Sequence, residues 1–239
     1  MHLARLTPSR YASRFIFVSM VLSAAVASAA EMPLKVSDVA TGPQSHVRLT
    51  NTANQPVTAW SLAAISQAEG GRTHREVFTI DGYLSELTHG LPGAAAHLER
   101  LMPGQARQMS IDAQPAGTTV DVIAVVLDDG TAIGDAQVLG EIFAKRARER
   151  DALKAVADAF KEVLPARHGT EALAALSERF KTLAQRDDSI PCRAALEAVQ
   201  TFERKGTPDQ IDQSLRNYAD FIAKQYALAE KHVTRRDKN

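Results

Sequence analysis

Cysteine is almost absent from the sequence, since Cys192 is the only one in 239 residues. The chain can therefore form no internal disulfide, and its stability must come from the burial of apolar side chains, which a chain of this length can supply. Cys192 lies in an apolar helical pattern with no histidine beside it, so we predict a small buried side chain and no thiol nucleophile. The alternative is a disulfide with another molecule.

The sequence also has no excess of charge, because 28 lysine and arginine residues balance 28 aspartate and glutamate residues. Aromatic residues make up only 5% of the chain, and no basic run is interleaved with them. These absences argue against a nucleic-acid-binding surface. The charges are unevenly placed: residues 31–134 carry six basic and eleven acidic side chains, whereas residues 135–239 carry 19 and 17. This difference indicates two regions of different character.

No apolar run is long enough to cross a membrane. The longest, residues 15–26, has twelve residues, whereas a helix needs about twenty to span the hydrocarbon core. Three arginines precede it and a run of small residues follows it, which is the pattern of a cleaved signal peptide. We therefore expect residues 1–30 to be removed by cleavage after Ala29 or Ala30. The mature chain is then periplasmic or secreted and has no transmembrane segment.

Familiar catalytic signatures are missing: there is no Gly-x-Ser-x-Gly elbow and no glycine-rich phosphate loop. One acidic set resembles calcium ligands, but a turn and a helix cap account for all of its members: Asp128, Asp129 and Asp135. A second set offers zinc ligands without the spacing of a known motif: His74, Glu76, Asp81, His89, His97 and Glu99. We predict no catalytic, cofactor-binding or metal-binding residue. A metal-dependent hydrolase using these loop histidines is the alternative.

Two aromatic residues, Trp60 and Tyr83, are candidates for stacking on a sugar. Trp60, however, lies in a strand pattern, in which an aromatic side chain usually belongs to the core. We therefore interpret Trp60 as a core residue and keep sugar stacking as the alternative.

Apolar patterns predict about seven strands in the first half of the mature chain. The clearest is residues 120–127, a run rich in β-branched side chains and typical of a strand buried on both faces. Asp129-Gly130 predicts a two-residue type I′ turn after this strand. Gly134-Asp135 then predicts the end of the sheet and the cap of a helix.

From residue 136 the apolar period changes to 3.6 residues, which predicts four helices with short connections. The first helix has an apolar patch, Leu139, Ile142 and Phe143, which we expect to cover the outer face of the strand at 120–127. Residues 144–152 are almost all charged or small, and we interpret them as a solvated stretch of this helix. The alternative is a partner-binding face.

Three segments carry a resemblance to a known class: VRLTNTANQPVTAWSL, LMPGQARQMSID and VVLDDGTAIGD. They are similar to exported bacterial modules with an immunoglobulin-like or fibronectin-like β-sandwich, in which an Asn-rich turn, a Pro-Gly turn and a final buried strand recur. The resemblance covers about 90 residues and implies a sandwich of about seven strands in an extracytoplasmic setting. It assigns no functional residue.

The sequence therefore predicts an α+β protein in three parts. These are a signal peptide at 1–30, an immunoglobulin-like β-sandwich domain at 31–134 and a domain of about four helices at 135–239. We expect an interaction or structural protein of the cell envelope rather than an enzyme. Its partner is expected to be a protein or another envelope component, with no nucleic acid and no cofactor.

Overall fold

The computed structural model describes residues 31–67, 71–88 and 100–237. The predicted signal peptide, with its cleavage site at Ala29 or Ala30, lies outside these residues. Residues 31–239 form one compact unit. In the described part of the chain, no helix is long and apolar enough to cross a membrane.

The described residues form an α+β fold, as the change of apolar period predicts. The strands are β1 (Leu34–Ala40), β2 (His46–Asn51), β3 (Val57–Gln67), β4 (Thr73–Asp81), β5 (Ala106–Ser110), β6 (Thr119–Leu127), β7 (Thr131–Gly134) and β8 (Arg236–Asp237). The helices are α1 (Gly82–Thr88), α2 (Ala136–Val163), α3 (Gly169–Arg186), α4 (Ile190–Lys205) and α5 (Pro208–His232). The boundary predicted between residues 134 and 135 falls between β7 and α2.

The strands form two sheets, with the orders β1-β2-β5 and β4-β3-β6-β7-β8. The pairs are antiparallel except for β7 and β8, which are parallel. Each sheet contributes the apolar side chains of one face to a shared hydrophobic core. Its buried members include Leu34, Val47, Leu49, Trp60, Leu62, Val120 and Val125. In β6 the alternation of faces changes at a register shift between Val122 and Ala124, which places Val120 and Val125 on the same face.

Strand β6 is buried on both faces, as its continuous apolar run predicts. On one face Val120 and Val125 belong to the core shared by the two sheets. On the other face Ala124 and Val126 pack against Val138, Leu139, Ile142 and Phe143 of α2. The prediction that the patch of the first long helix covers the outer face is therefore confirmed. Each large side chain buried there contributes about 1.5–3 kcal/mol.

The hairpin between β6 and β7 is confirmed, but its turn type is not the predicted one. The N–H of Gly130 donates to the carbonyl of Leu127 at 3.1 Å, and Gly130 has φ 85°. Asp129 is not among the described residues with positive φ, whereas a type I′ turn needs positive φ at both central positions. The connection is therefore a three-residue loop, 128–130, that ends on a left-handed glycine. Glycine is required there because it alone adopts this conformation without steric cost.

Asn51 connects two of the turns on which the resemblance rests. Its buried side-chain amide donates to the carbonyls of Gln55 at 3.0 Å and Leu101 at 2.9 Å, and its Oδ1 accepts from the N–H of Ala53 at 2.8 Å. The Asn-rich turn after β2 is thus joined to the segment that precedes β5. Asparagine suits this buried position because its side chain has both the two N–H donors and the oxygen acceptor that these three hydrogen bonds need.

The four long helices share a second hydrophobic core. Asp135 caps α2 by accepting hydrogen bonds from the N–H groups of Gln137 at 2.9 Å and Val138 at 3.1 Å, as predicted. Leu173, Leu176 and Phe180 of α3 are buried in the core of the helices. This core also includes residues from outside the long helices, because Tyr83 and Leu84 of α1 belong to it.

Candidate functional site

The junction between the second sheet and the helices holds a buried ion pair. Arg146 of α2 donates from Nε to Oδ2 of Asp81 at 2.8 Å and from Nη2 to Oδ1 at 2.9 Å. The same Nη2 also donates to Oγ1 of Thr58 at 3.2 Å. The side chains of Arg146 and Asp81 are 1% and 6% exposed. The interpretation of residues 144–152 as a solvated stretch is therefore wrong for Arg146, which points into the protein.

Asp81 has a second role, because it ends β4 and begins α1. Its Oδ1 accepts hydrogen bonds from the backbone N–H groups of Tyr83 at 3.1 Å and Leu84 at 3.3 Å. These N–H groups belong to the first turn of a helix and have no partner within it. The carboxylate thus receives four N–H groups in all, which offsets much of the cost of burying its charge.

Tyr83 lies between the arginine and the end of α5. The guanidinium of Arg146 is 4.9 Å from the centre of the Tyr83 ring, and the imidazole ring of His232 is 4.8 Å from it. The Tyr83 hydroxyl donates to the carbonyl of Leu228 at 2.9 Å. Burial raises the pKa of Tyr83, so its hydroxyl stays protonated and serves as a donor. Tyr83 thereby joins α1 to both α2 and α5.

A second arginine lies at the edge of this junction. Arg100 donates from Nη1 to Oδ1 of Asp128 at 2.7 Å and from Nη2 to Oε2 of Glu86. Asp128 belongs to the loop between β6 and β7, and Glu86 belongs to α1. We call the set Asp81, Tyr83, Arg100, Asp128, Arg146 and His232 the junction cluster. It connects the second sheet, α1, α2 and α5.

The chemistry of the junction cluster favours a structural role. Both guanidinium groups are paired with carboxylates, and the described contacts place Asp81 and Arg146 away from solvent. His232 is the cluster member that titrates nearest to neutral pH. Burial lowers the pKa of His232 below its ordinary value of 6.5. The junction cluster therefore holds the two halves together, and burial within it favours the neutral form of His232.

The structure describes three of the six residues predicted as alternative metal ligands. His74 is exposed on β4, Glu76 accepts a hydrogen bond from the side chain of Gln114 at 2.8 Å, and Asp81 is paired with Arg146. The other three, His89, His97 and Glu99, lie outside the described residues. Among the residues that are described, no three histidine, cysteine or acidic side chains are grouped so that they could hold a metal.

The three aspartates considered for calcium have other partners. Asp128 is paired with Arg100, Oδ1 of Asp129 accepts from the N–H of Thr131 at 2.9 Å, and Asp135 caps α2. The turn and the helix cap that the sequence predicts at Asp129 and Asp135 are therefore both present. Asp128 has a role that the sequence did not indicate, because its partner, Arg100, lies 28 residues earlier in the sequence.

Trp60 and Tyr83 do not offer a surface to a sugar. Trp60 is 2% exposed and Tyr83 is 0% exposed, and each belongs to a hydrophobic core. The interpretation of Trp60 as a core residue is confirmed, and the stacking alternative is wrong. Cys192 is buried as well, in agreement with its prediction. Burial raises the pKa of the Cys192 thiol, which keeps it protonated and unreactive.

In the described part of the chain, a groove of about 580 Å³ lies between β1 and β6. Its apolar walls are formed by Met32, Leu34, Val36, Val39, Val120 and Val122. Lys35 and Asp121 add one charge of each sign. Val39 is 39% exposed, whereas Leu34 and Val120 are buried. The groove thus leads from solvent to the core between the two sheets. We call it the β1–β6 groove.

Strand β6 is incompletely paired beside this groove. It pairs with β3 along most of its length, but with β7 only at residues 124–126. The carbonyl of Ile123 accepts from the N–H of Asp135 at 2.8 Å, so within the described part of the chain residues 119–122 have no paired strand on the side of β7. Strand β1 pairs with β2 and bends where its register shifts after Ser37, at Asp38, which has φ 51°. An apolar groove and an unpaired stretch of strand consequently lie side by side.

No family model, no curated protein and no solved structure matches this chain.

Proposed function

We propose that the protein is an exported interaction protein of the cell envelope, which binds an extended segment of another protein in the β1–β6 groove. The observation that carries this proposal is the unpaired stretch of β6, residues 119–122, beside the groove. Partner strands add to such stretches because unpaired backbone groups offer hydrogen bonds at a fixed spacing. Alternate side chains of the added strand would then fill the apolar groove.

The same proposal assigns the strands before residue 135 to the immunoglobulin-like sandwich class. Two antiparallel sheets with a shared core support this assignment, as does the joining of two characteristic turns through Asn51. The periplasmic or secreted location rests on the signal-peptide pattern of residues 1–30. Such a module acts through its edges and grooves, which is where the β1–β6 groove lies.

Placing a charge in the β1–β6 groove is expected to weaken partner binding. Val39→Lys puts an ammonium group on an apolar wall at a position that is already 39% exposed, so the fold itself should tolerate it. Covering the ammonium group with an apolar segment costs free energy, and each loss of about 1.4 kcal/mol corresponds to about tenfold in affinity. A photoreactive residue at position 39 is first used to crosslink and identify the bound segment. Calorimetry with a synthetic copy of that segment then compares the affinity of Val39→Lys with that of the unmodified protein.

Val77 supplies the matched control. It is a valine of equal exposure, 41%, but it lies on β4 at the far edge of the second sheet. Val77→Lys should bind the segment with unchanged affinity. Equal labelling from positions 39 and 77, or an affinity that Val39→Lys leaves unchanged, would exclude the β1–β6 groove as the binding site.

Export is tested at the N terminus of the mature protein. We expect sequencing of the exported chain to begin at Ala30 or Glu31. Val18→Arg interrupts the apolar run with a charge and should leave the precursor in the cytoplasm, because the export machinery recognises an uninterrupted apolar segment. Thr7→Arg adds the same charge to the basic region and is the control, which should be exported normally. Exported protein that retains Met1 would contradict the signal-peptide assignment.

A further inference from the structure

The last residue of α5 connects the junction cluster to the C-terminal strand. His232 is 6% exposed and its ring contacts Tyr83. Three residues separate it from β8, whose Arg236 and Asp237 pair in parallel with Thr131 and Ala132 of β7. Strand β8 therefore occupies the outer edge of β7, and the packing of His232 fixes the point from which it starts.

The surroundings of His232 are unfavourable for a positive charge. Cations face it from three parts of the chain: Arg146 of α2, Arg100 before β5 and Lys231 of its own helix. The one facing anion is Asp128, in the loop between β6 and β7, which is already paired with Arg100 at 2.7 Å. From α1, His232 meets the neutral ring of Tyr83. Burial is thus the main obstacle to protonation of His232, and Asp128, which already pairs with Arg100, is the one facing group that favours the charged form.

We propose that His232 is an acid-sensitive latch, whose protonation releases the last turn of α5 and strand β8 and so exposes the edge of β7. An edge exposed in this way would offer unpaired backbone groups to a strand of another protein. This inference concerns a different edge from the β1–β6 groove and does not depend on the function proposed for that groove.

The direction of the pH effect follows from linkage between protonation and structure. Burial lowers the pKa of His232 in the closed state below the ordinary value of 6.5 that it would regain on release, while Asp128 opposes this shift and the three cations add to it. The released state therefore binds the proton more tightly, and the latch is most stable above pH 6.5. Its stability falls as the pH drops from 6.5 towards the lowered pKa. Each unit of difference between the two pKa values shifts the equilibrium by about tenfold.

Hydrogen exchange of the full chain tests the latch. Protection of the β7 residues that pair with β8, Thr131 and Ala132, and of residues 229–232 is measured at about pH 7.5 and about pH 5 and corrected for the intrinsic rate at each pH. Between these two pH values we expect a loss of protection at these sites, while the amides of α3 and α4 keep theirs. Equal protection at both pH values, or a uniform loss along the chain, would overturn the proposal.

Two variants separate the latch from other titrating groups. His232→Phe keeps an aromatic ring beside Tyr83 but cannot be protonated, so its β7 amides should stay protected at both pH values. His168→Gln removes a histidine whose side chain is 67% exposed and should leave the pH dependence unchanged. A pH-dependent loss that persists in His232→Phe would exclude His232. If that variant does not fold, an NMR titration decides, because a His232 pKa at or above 6.5 in the unmodified protein contradicts the latch.

Discussion

Replacing Arg146 with alanine is expected to lower the free energy of unfolding by about 3–5 kcal/mol, the usual cost of removing one partner of a buried ion pair. The variant leaves the Asp81 carboxylate, which is 6% exposed, without its cation. It also removes the guanidinium that donates to Thr58 and contacts the Tyr83 ring. Urea denaturation at neutral pH measures the loss.

Two further variants make this experiment specific to the ion pair. Arg148→Ala removes an exposed arginine two residues along the same helix and should change stability by less than about 0.5 kcal/mol. Asp81→Asn keeps an oxygen that can accept from the N–H groups of Tyr83 and Leu84 but removes the charge. The double variant of Asp81 and Arg146 should therefore lose much less than the sum of the single losses. Additive losses would show that the charges act independently.

The strands, helices and caps were largely predictable because they depend on local patterns. The apolar run at 120–127 indicates that both faces are buried, and an acidic residue before a helical period indicates the cap at Asp135. The packing of Ile142 on the sheet followed from these two facts. The outer face of the strand is apolar, and the helix that comes next in sequence has an apolar patch that can cover it. The turn at Asp129-Gly130 was placed correctly, but loop length rather than the dipeptide decides its type.

The junction cluster was not predicted, because its members are far apart in sequence. Asp81 and Arg146 are 65 residues apart, and Tyr83 and Leu228 are 145 residues apart. One signal was nevertheless present. Arg146 is three residues after Phe143 and four after Ile142, which places it on the buried stripe of α2. An arginine on an apolar stripe predicts a buried carboxylate partner, although it does not identify which one.

The β1–β6 groove could not be predicted from the sequence either. Alternation along a strand shows which side chains face inward, but it does not show which strands are neighbours or how far each pair extends. The groove exists because β7 is only four residues long and pairs with the second half of β6 alone. Strand length near a hairpin is set by the loop and by the next helix, whose cap, Asp135, directly follows Gly134.

Truncating Ile142 to alanine is expected to lower the free energy of unfolding by about 2–5 kcal/mol, because it leaves a cavity between α2 and the second sheet. Ile142 is 3% exposed and packs in the cluster that includes Ala124 and Val126 of β6. Glu141→Ala is the matched control, since Glu141 is the exposed neighbour on the same helix. Its effect should stay within about 0.5 kcal/mol.

The same variant tests whether the two halves unfold together. Trp60 is the only tryptophan and is buried among the strands, so its fluorescence reports on the sheets, whereas far-ultraviolet circular dichroism reports chiefly on the four long helices. If the patch of α2 and the Arg146–Asp81 pair join the halves, Ile142→Ala should move both transitions to lower urea by the same amount. A fluorescence transition that stays in place while the helical signal shifts would mean that the sheets are stable without α2. We expect the fluorescence and circular dichroism transitions to coincide in the unmodified protein and in Ile142→Ala. Tyr83 and Leu84 belong to the β half but are buried in the core of the helices, so exposing them loosens both halves.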